Sequence, residues 1–297
     1  IRDLRMSRGR GDVYKRQDYM ETAIYNALMA SLKADASQIA KYSPLEGWRH
    51  EGEEQCGMHI NCCNANGPRA FAMIPQFAYQ VQDDCVRVNF YAPSEAELVL
   101  PGKKPVRLKQ TTDYPRTDQI EIEVDPAKET AFTIALRIPA WSKIAVVSVN
   151  GQPQDGVLQG AYLPVNRKWK KGDRITVKLD LRARLVERNQ AQAIVRGPIV
   201  LARDSRFGDG FVDEASVVVS KDGYVELTPV KAPGFAWLAF TAPMVLGTDL
   251  ESNRAPKQIH FCDFASAGNT WDKTQRYRVW LPKTLNVMHS PYRPYNQ

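Results

Sequence analysis

Apolar residues recur at helical spacing only near the start of the chain, and at strand spacing almost everywhere after residue 80. Met20, Ile24, Ala27, Leu28 and Ser31 fall three or four apart, and Asp18 and Glu21 have capping-box spacing, which predicts a helix over 18–33. The stretch YSPLEGWRHEGEEQCG that follows has proline, glycine and charge without periodicity, so it reads as a long loop. Long ordered loops tend to carry function. A second helix is expected from Pro68, opened by Gly67-Pro68, with Phe71, Ile74, Phe77 and Ala78 on one face and a kink at Pro75.

After Tyr79 the period changes to two. CVRVNFY puts Val86, Val88 and Phe90 on one side and Arg87, Asn89 and Tyr91 on the other. AFTIALRIPAW continues the alternation through Phe132, Ile134, Leu136 and Ile138 until Pro139 stops it. VVSVNGQ ends in the tight-turn pair Asn150-Gly151, and GDRITVKLDL aligns Ile175, Val177, Leu179 and Leu181. Further strands are expected in AIVRGPIVLA, GYVELTPV, AWLAFTA and YRVWLP. Strands separated by turns, with no helices between them, predict antiparallel sandwich architecture rather than βαβ units. The fold class is therefore mainly β with a short α leader: a helical part over 18–79, a β-sandwich domain over 80–187 and a second β-rich segment over 188–297 packing on the sandwich.

Composition is globular, with 43% hydrophobic and 25% charged residues in 297. No apolar run is long enough to span a bilayer, and five cysteines in a chain of this size do not make a disulfide scaffold. The net charge of +7 first suggests nucleic acid, yet residues 1–17 alone supply +4 of it. Within them DVYKRQ is the in-frame translation of a transposon-end adapter, so 1–17 is expected to be a disordered, non-native scar and the natural protein to begin well before Asp18. Without that segment neither nucleic acid nor membrane is an expected partner. The compartment stays open between cytoplasm and periplasm.

Glu51, Glu53, Glu54, Cys56, His59, Cys62 and Cys63 cluster between the two helices. Thiolates, imidazole and carboxylate are the ligand set of zinc, although the spacing is not that of a zinc finger. Adjacent cysteines rarely bond to each other, but both can turn toward one metal; the alternative is two small buried hydrophobes. Cys85 and Cys262 fall in expected strands and read as core. Asp263, Asn269 and Trp271 could line a sugar site or belong to an ordinary connecting loop.

DYMETAIYNALMAS, YSPLEG, EEQCGMHINCCNANGPRAF and DDCVRVNFY, followed by FTIALRIPAWS, GAYLPVNRKWKKGDRITVKLDL, VRGPIVLA and ASAGNTWDKTQRYRVWLP, resemble the β-L-arabinofuranosidase-like glycoside hydrolases of family 127. The resemblance covers nearly everything after residue 17 and is most specific at the paired cysteines and at the R-x-W-x-x-G-D strand entry. It implies the end of a six-hairpin α/α barrel over 18–79, followed by β-sandwich domains. It also implies a zinc site in which Cys62 is both nucleophile and ligand and Cys63 a ligand, an oligosaccharide or glycan substrate, and retaining chemistry. The family's remaining zinc ligands, a Glu-x-Cys pair, and its acid/base glutamate lie upstream of the DYMETAIYN helix, so the site is expected to be half present and the chain inactive by itself. Glu54-Gln55-Cys56 has the same spacing but follows that helix, and is not equated with the pair. Two other readings are a non-catalytic carbohydrate-binding sandwich and a structural-zinc interaction module.

Overall fold

Period-two patterning is most visible where strand Thr130–Ile138 sends Phe132, Ile134, Leu136 and Ile138 into the interior, as expected. The computed structural model describes residues 10–52, 62–247 and 255–284. Two compact units emerge: residues up to Tyr25 with Asn64–Leu181, and Asn26–Cys63 with Arg182 onward. The helical leader expected as one segment over 18–79 is thus divided between them, and the β boundary falls at 181 rather than 187.

In the first unit two sheets contribute to one core. The smaller runs in the order 161–169, 130–138, 85–88, 79–82; the larger runs 94–100, 104–112, 119–126, 173–178, 146–149, 152–153. All pairings are antiparallel except that Cys85–Val88 lies parallel to Thr130–Ile138. Trp169 is wholly buried between the sheets and donates its indole N–H to the Phe132 carbonyl at 3.0 Å. Asn150 and Gly151, with φ of 50° and 79°, make the hairpin turn that joins Val146–Val149 to Gln152–Pro153. Strands Ser94–Leu100, Lys104–Thr112 and Gln119–Pro126 were not anticipated. Their signal was present, since Ile120, Ile122 and Val124 alternate with Glu121, Glu123 and Asp125, and those three apolar side chains are wholly buried.

The helices depart from the sequence reading. Helix α1 covers Arg10–Ala23 and passes into a π-helical turn, Ile24–Leu28. It starts before 18, so residues 10–17 are helical rather than disordered, and Gln17 Nε2 donates to Asn89 Oδ1 at 3.1 Å. Its buried positions are polar, Glu21 and Asn26, whereas Ala27 is exposed. Asp18 and Glu21 therefore do not cap a helix start; both face Arg137. Helix α2 covers Cys62–Ala78, beginning well before the expected Pro68 and continuing through Pro68 and Pro75. The two prolines omit the bonds to the carbonyls of Asn64 and Phe71 without ending the helix. Phe77, on the apolar face of the helix pattern, is 40% exposed, while Asn89 and Tyr91, on the side opposite Val86 and Val88, are buried. Tyr91 is held inside by its hydroxyl, which donates to the Arg137 carbonyl at 2.7 Å.

The second unit is built on one hydrogen-bonded sheet whose main path runs 216–218, 239–246, 257–263, 199–204, 191–196, 183–188, 224–225. GYVELTPV and YRVWLP each break into two short strands instead of one. Asn26 acts as a side-chain rung beside one strand, donating to the Pro198 carbonyl at 2.7 Å and accepting from Val200 N at 2.8 Å. Ala30, Ala193, Ala202, Cys262, Phe264, Ala267, Tyr277 and Val279 form a core in which small residues admit two large rings. Gly268, at φ 62°, is one position where this closeness requires glycine, because a Cβ would lie 2.6 Å from the Tyr277 ring.

Candidate functional site

Cys62 and Cys63 are the first two residues of α2, and neither forms a disulfide. Cys62 is exposed and Cys63 half-buried, so the pair is not two small core hydrophobes. The two thiols share a side-chain hydrogen bond. Burial pushes the Cys63 thiol up; the bond to Cys62 and its field push the same way, and Lys41 opposes them. Lys41 is anchored by its backbone N–H, which donates to the Glu51 carbonyl at 2.8 Å. Sequence reasoning missed this lysine because it lies just before the long loop, in a stretch to which no element or motif was assigned.

Of the other proposed members of the cluster, Glu51 is exposed, whereas Glu53, Glu54, Cys56 and His59 lie outside the described residues. Among the described residues no three His, Cys, Asp or Glu side chains gather as a metal site. The donor set itself fits a thiophilic ion: two sulfurs in contact supply half of a tetrahedral zinc shell.

The remaining candidates divide. Cys262 is fully buried, as expected, but Cys85 is half-buried rather than core. Asp263 is 1% exposed, and its carboxylate accepts from Leu238 N at 2.8 Å and Ser266 N at 3.0 Å. Burial raises this carboxyl, and these hydrogen bonds pull it down. The Asn269 side chain donates to the Phe235 carbonyl at 3.0 Å and accepts from Arg206 at 2.9 Å. Trp271 adopts φ 62° beneath the Lys33 ammonium, which lies 5.7 Å from its ring. Asp263 and Asn269 are thus engaged in holding the connecting loop, which favours the loop reading over a sugar site.

Residues 85–181, the body of the first unit, match the family model for the GH127 middle domain of β-L-arabinofuranosidases. The chain resembles that family. Among solved structures, a GH127 β-L-arabinofuranosidase from Geobacillus stearothermophilus T6 superposes with a TM-score of 0.74 at 22% identity, covering 94% of this chain and 47% of its own. A protein described as a glycoside hydrolase gives 0.74 at 23% identity, covering 91% and 48%. A GH127 β-arabinofuranosidase gives 0.73 at 24% identity, covering 92% and 46%. The chain therefore spans about half the length of the GH127 structures it matches, and at these identities the likeness is one of fold. No curated protein matches the chain.

Proposed function

We propose that Cys62 and Cys63 form the zinc-thiolate centre of a retaining glycosidase for L-arabinofuranosides or related glycans. On this reading α1 and α2 are the last part of an α/α barrel. The observation that carries the proposal is the pair of mutually hydrogen-bonded, solvent-reachable thiols opening α2, the helix that leads into a GH127-like sandwich.

Both cysteines would hold zinc, which when bound keeps sulfur ligands as thiolates at neutral pH. Cys62 is the more exposed of the two and is assigned as nucleophile. Its sulfur attacks the anomeric carbon, the glycosidic C–O bond breaks, and the leaving oxygen takes a proton from a separate acid. Water then displaces the sulfur from the sugar and gives a proton to the conjugate base of that acid, so the Cys62 thiolate and the acid are both restored, with net retention after two inversions. Cys63 has no reacting role; as the neighbouring ligand it would fix the metal beside Cys62.

Zinc titration against a chromophoric chelator tests the ligand assignment. Cys62→Ser and Cys63→Ser are each expected to weaken zinc by at least about tenfold, because a serine hydroxyl stays protonated. Affinity should rise with pH: the Cys63 thiol is raised, its proton must leave before it ligates, and less proton competes at higher pH. Zinc affinity unchanged in both variants, or falling as pH rises, contradicts the assignment.

A further inference from the structure

We infer a second binding site, for a neutral sugar, in a cleft of roughly 300 Å³ lined within the first unit by Gln76, Phe77, Tyr79, Gln80, Asn89 and Phe90. Its volume is at the lower end of the range found for small-molecule sites. The chemistry of its wall selects the class of ligand. Among the described residues no ionisable group other than the Tyr79 phenol lines it, so they offer neither a counter-charge for an anion nor a carboxylate for a cation. Amides dominate the polar part, and each carries both donors and an acceptor, matching hydroxyls that must donate and accept together.

The polar groups differ in how free they are. Asn89 is engaged: its Nδ2 donates to the Phe77 carbonyl at 3.0 Å, and its Oδ1 accepts from Gln17 and from the Tyr162 hydroxyl. It therefore fixes the wall rather than meeting a ligand. Gln76 and Gln80 instead present solvent-exposed amides. Phe77 supplies the apolar part. It is 40% exposed on the apolar face of α2, and an aromatic face packs against the C–H face of a sugar ring.

The cleft residues belong to the first unit and the cysteine pair to the second, although Gln76 and Phe77 share α2 with the pair; the inference does not depend on zinc or on the glycosidase reading. The test is saturation-transfer NMR and calorimetry on the full chain, with L-arabinose and D-xylose as neutral probes and D-galacturonate as a charged one. Expected is saturable binding of a neutral pentose, weakened at least about tenfold by Phe77→Ala and by Gln80→Ala, equivalent to about 1.4 kcal/mol each. Cys62→Ser and Cys63→Ser should leave it unchanged. Both cleft side chains are exposed, so circular dichroism of the variants should match the parent and separate loss of binding from loss of fold. Absence of pentose binding, binding insensitive to the cleft variants, binding lost with the cysteines, or equal binding of galacturonate would each overturn the inference.

Discussion

Replacing Arg137 with methionine is expected to destabilise the sandwich unit by about 3–5 kcal/mol, the penalty typical of removing one partner from a buried ion pair. Arg137 is 1% exposed, and its guanidinium lies 2.7 Å from both Asp18 Oδ1 and Glu21 Oε1. Glu21 is equally buried and has one further partner, the Tyr114 hydroxyl, which donates to it at 2.8 Å. Burial works against the arginine's charge, but Glu21, Tyr114 and Asp18 more than offset it and hold the group protonated. Methionine would keep much of the packing beside Phe90, whose ring lies 5.6 Å from the guanidinium, while stranding two carboxylates.

The effect carries a pH signature. Burial is the largest influence on Asp18 and raises its carboxyl, while Arg137 pulls it down. A carboxyl raised on folding favours the native state most when protonated, and that contribution is lost as pH rises through its folded value. With Arg137 gone the rise is larger, so the deficit of the variant should be greatest near neutrality and should narrow as Asp18 takes up its proton in acid. Urea titrations of parent and variant at neutral and mildly acidic pH measure this directly. A pH-independent deficit, or one below about 1 kcal/mol, would mean that the charges are solvated in solution rather than buried.

Arg49→Met is expected to cost the second unit about 3 kcal/mol, by a different route. This arginine has no accessible surface, and its partners are backbone carbonyls of Ala30, Phe264 and Ala265, the last at 3.1 Å. The guanidinium also lies 4.7 Å from the Phe264 ring centroid and 5.0 Å from that of Tyr277. Burial lowers its proton affinity, and the field of Tyr277 supports the charge. Loss of the side chain orphans buried carbonyls, each worth about 1–3 kcal/mol, and two cation–π contacts. Lysine should rescue little, since a single ammonium cannot reproduce the planar fork. Full rescue by Arg49→Lys would show that charge alone, rather than the geometry of the carbonyl contacts, matters here.

Both arginines mark the limit of what the sequence pattern could reveal. Phe132, Ile134, Leu136 and Ile138 were legible because alternation and burial share a period of two. Arg137, in the same strand, was not, because its burial depends on Asp18 and Glu21, more than a hundred residues earlier. The same network explains why α1 buries Glu21 where a hydrophobic stripe was expected, and the bonds of Asn26 to Pro198 and Val200 explain the other buried polar position. Ile120, Ile122 and Val124 were legible in principle, and were passed over because acidic residues fill the positions between them. At the site, the paired cysteines stood out by rarity. Lys41 did not, since it comes near Cys63 from a stretch before the long loop that carries no motif. Asp263 and Asn269 illustrate the reverse error: residue types suited to binding sugar are equally suited to holding a turn, and the hydrogen bonds decide between them.

The most direct measurement for the cysteine pair is intact mass, with peptide mapping, of the zinc-supplemented chain after incubation with an electrophile shaped as an L-arabinofuranose. One adduct is expected, on Cys62. It should vanish in Cys62→Ser even with zinc in excess, and it should still form on Cys62 in Cys63→Ser when excess zinc compensates for weaker binding. The sulfur of Cys62 must reach the anomeric carbon, whereas Cys63 needs only to reach the metal. An adduct on Cys63 of the unmodified protein, or none on either cysteine while zinc remains tightly bound, would contradict the assignment of Cys62 as nucleophile.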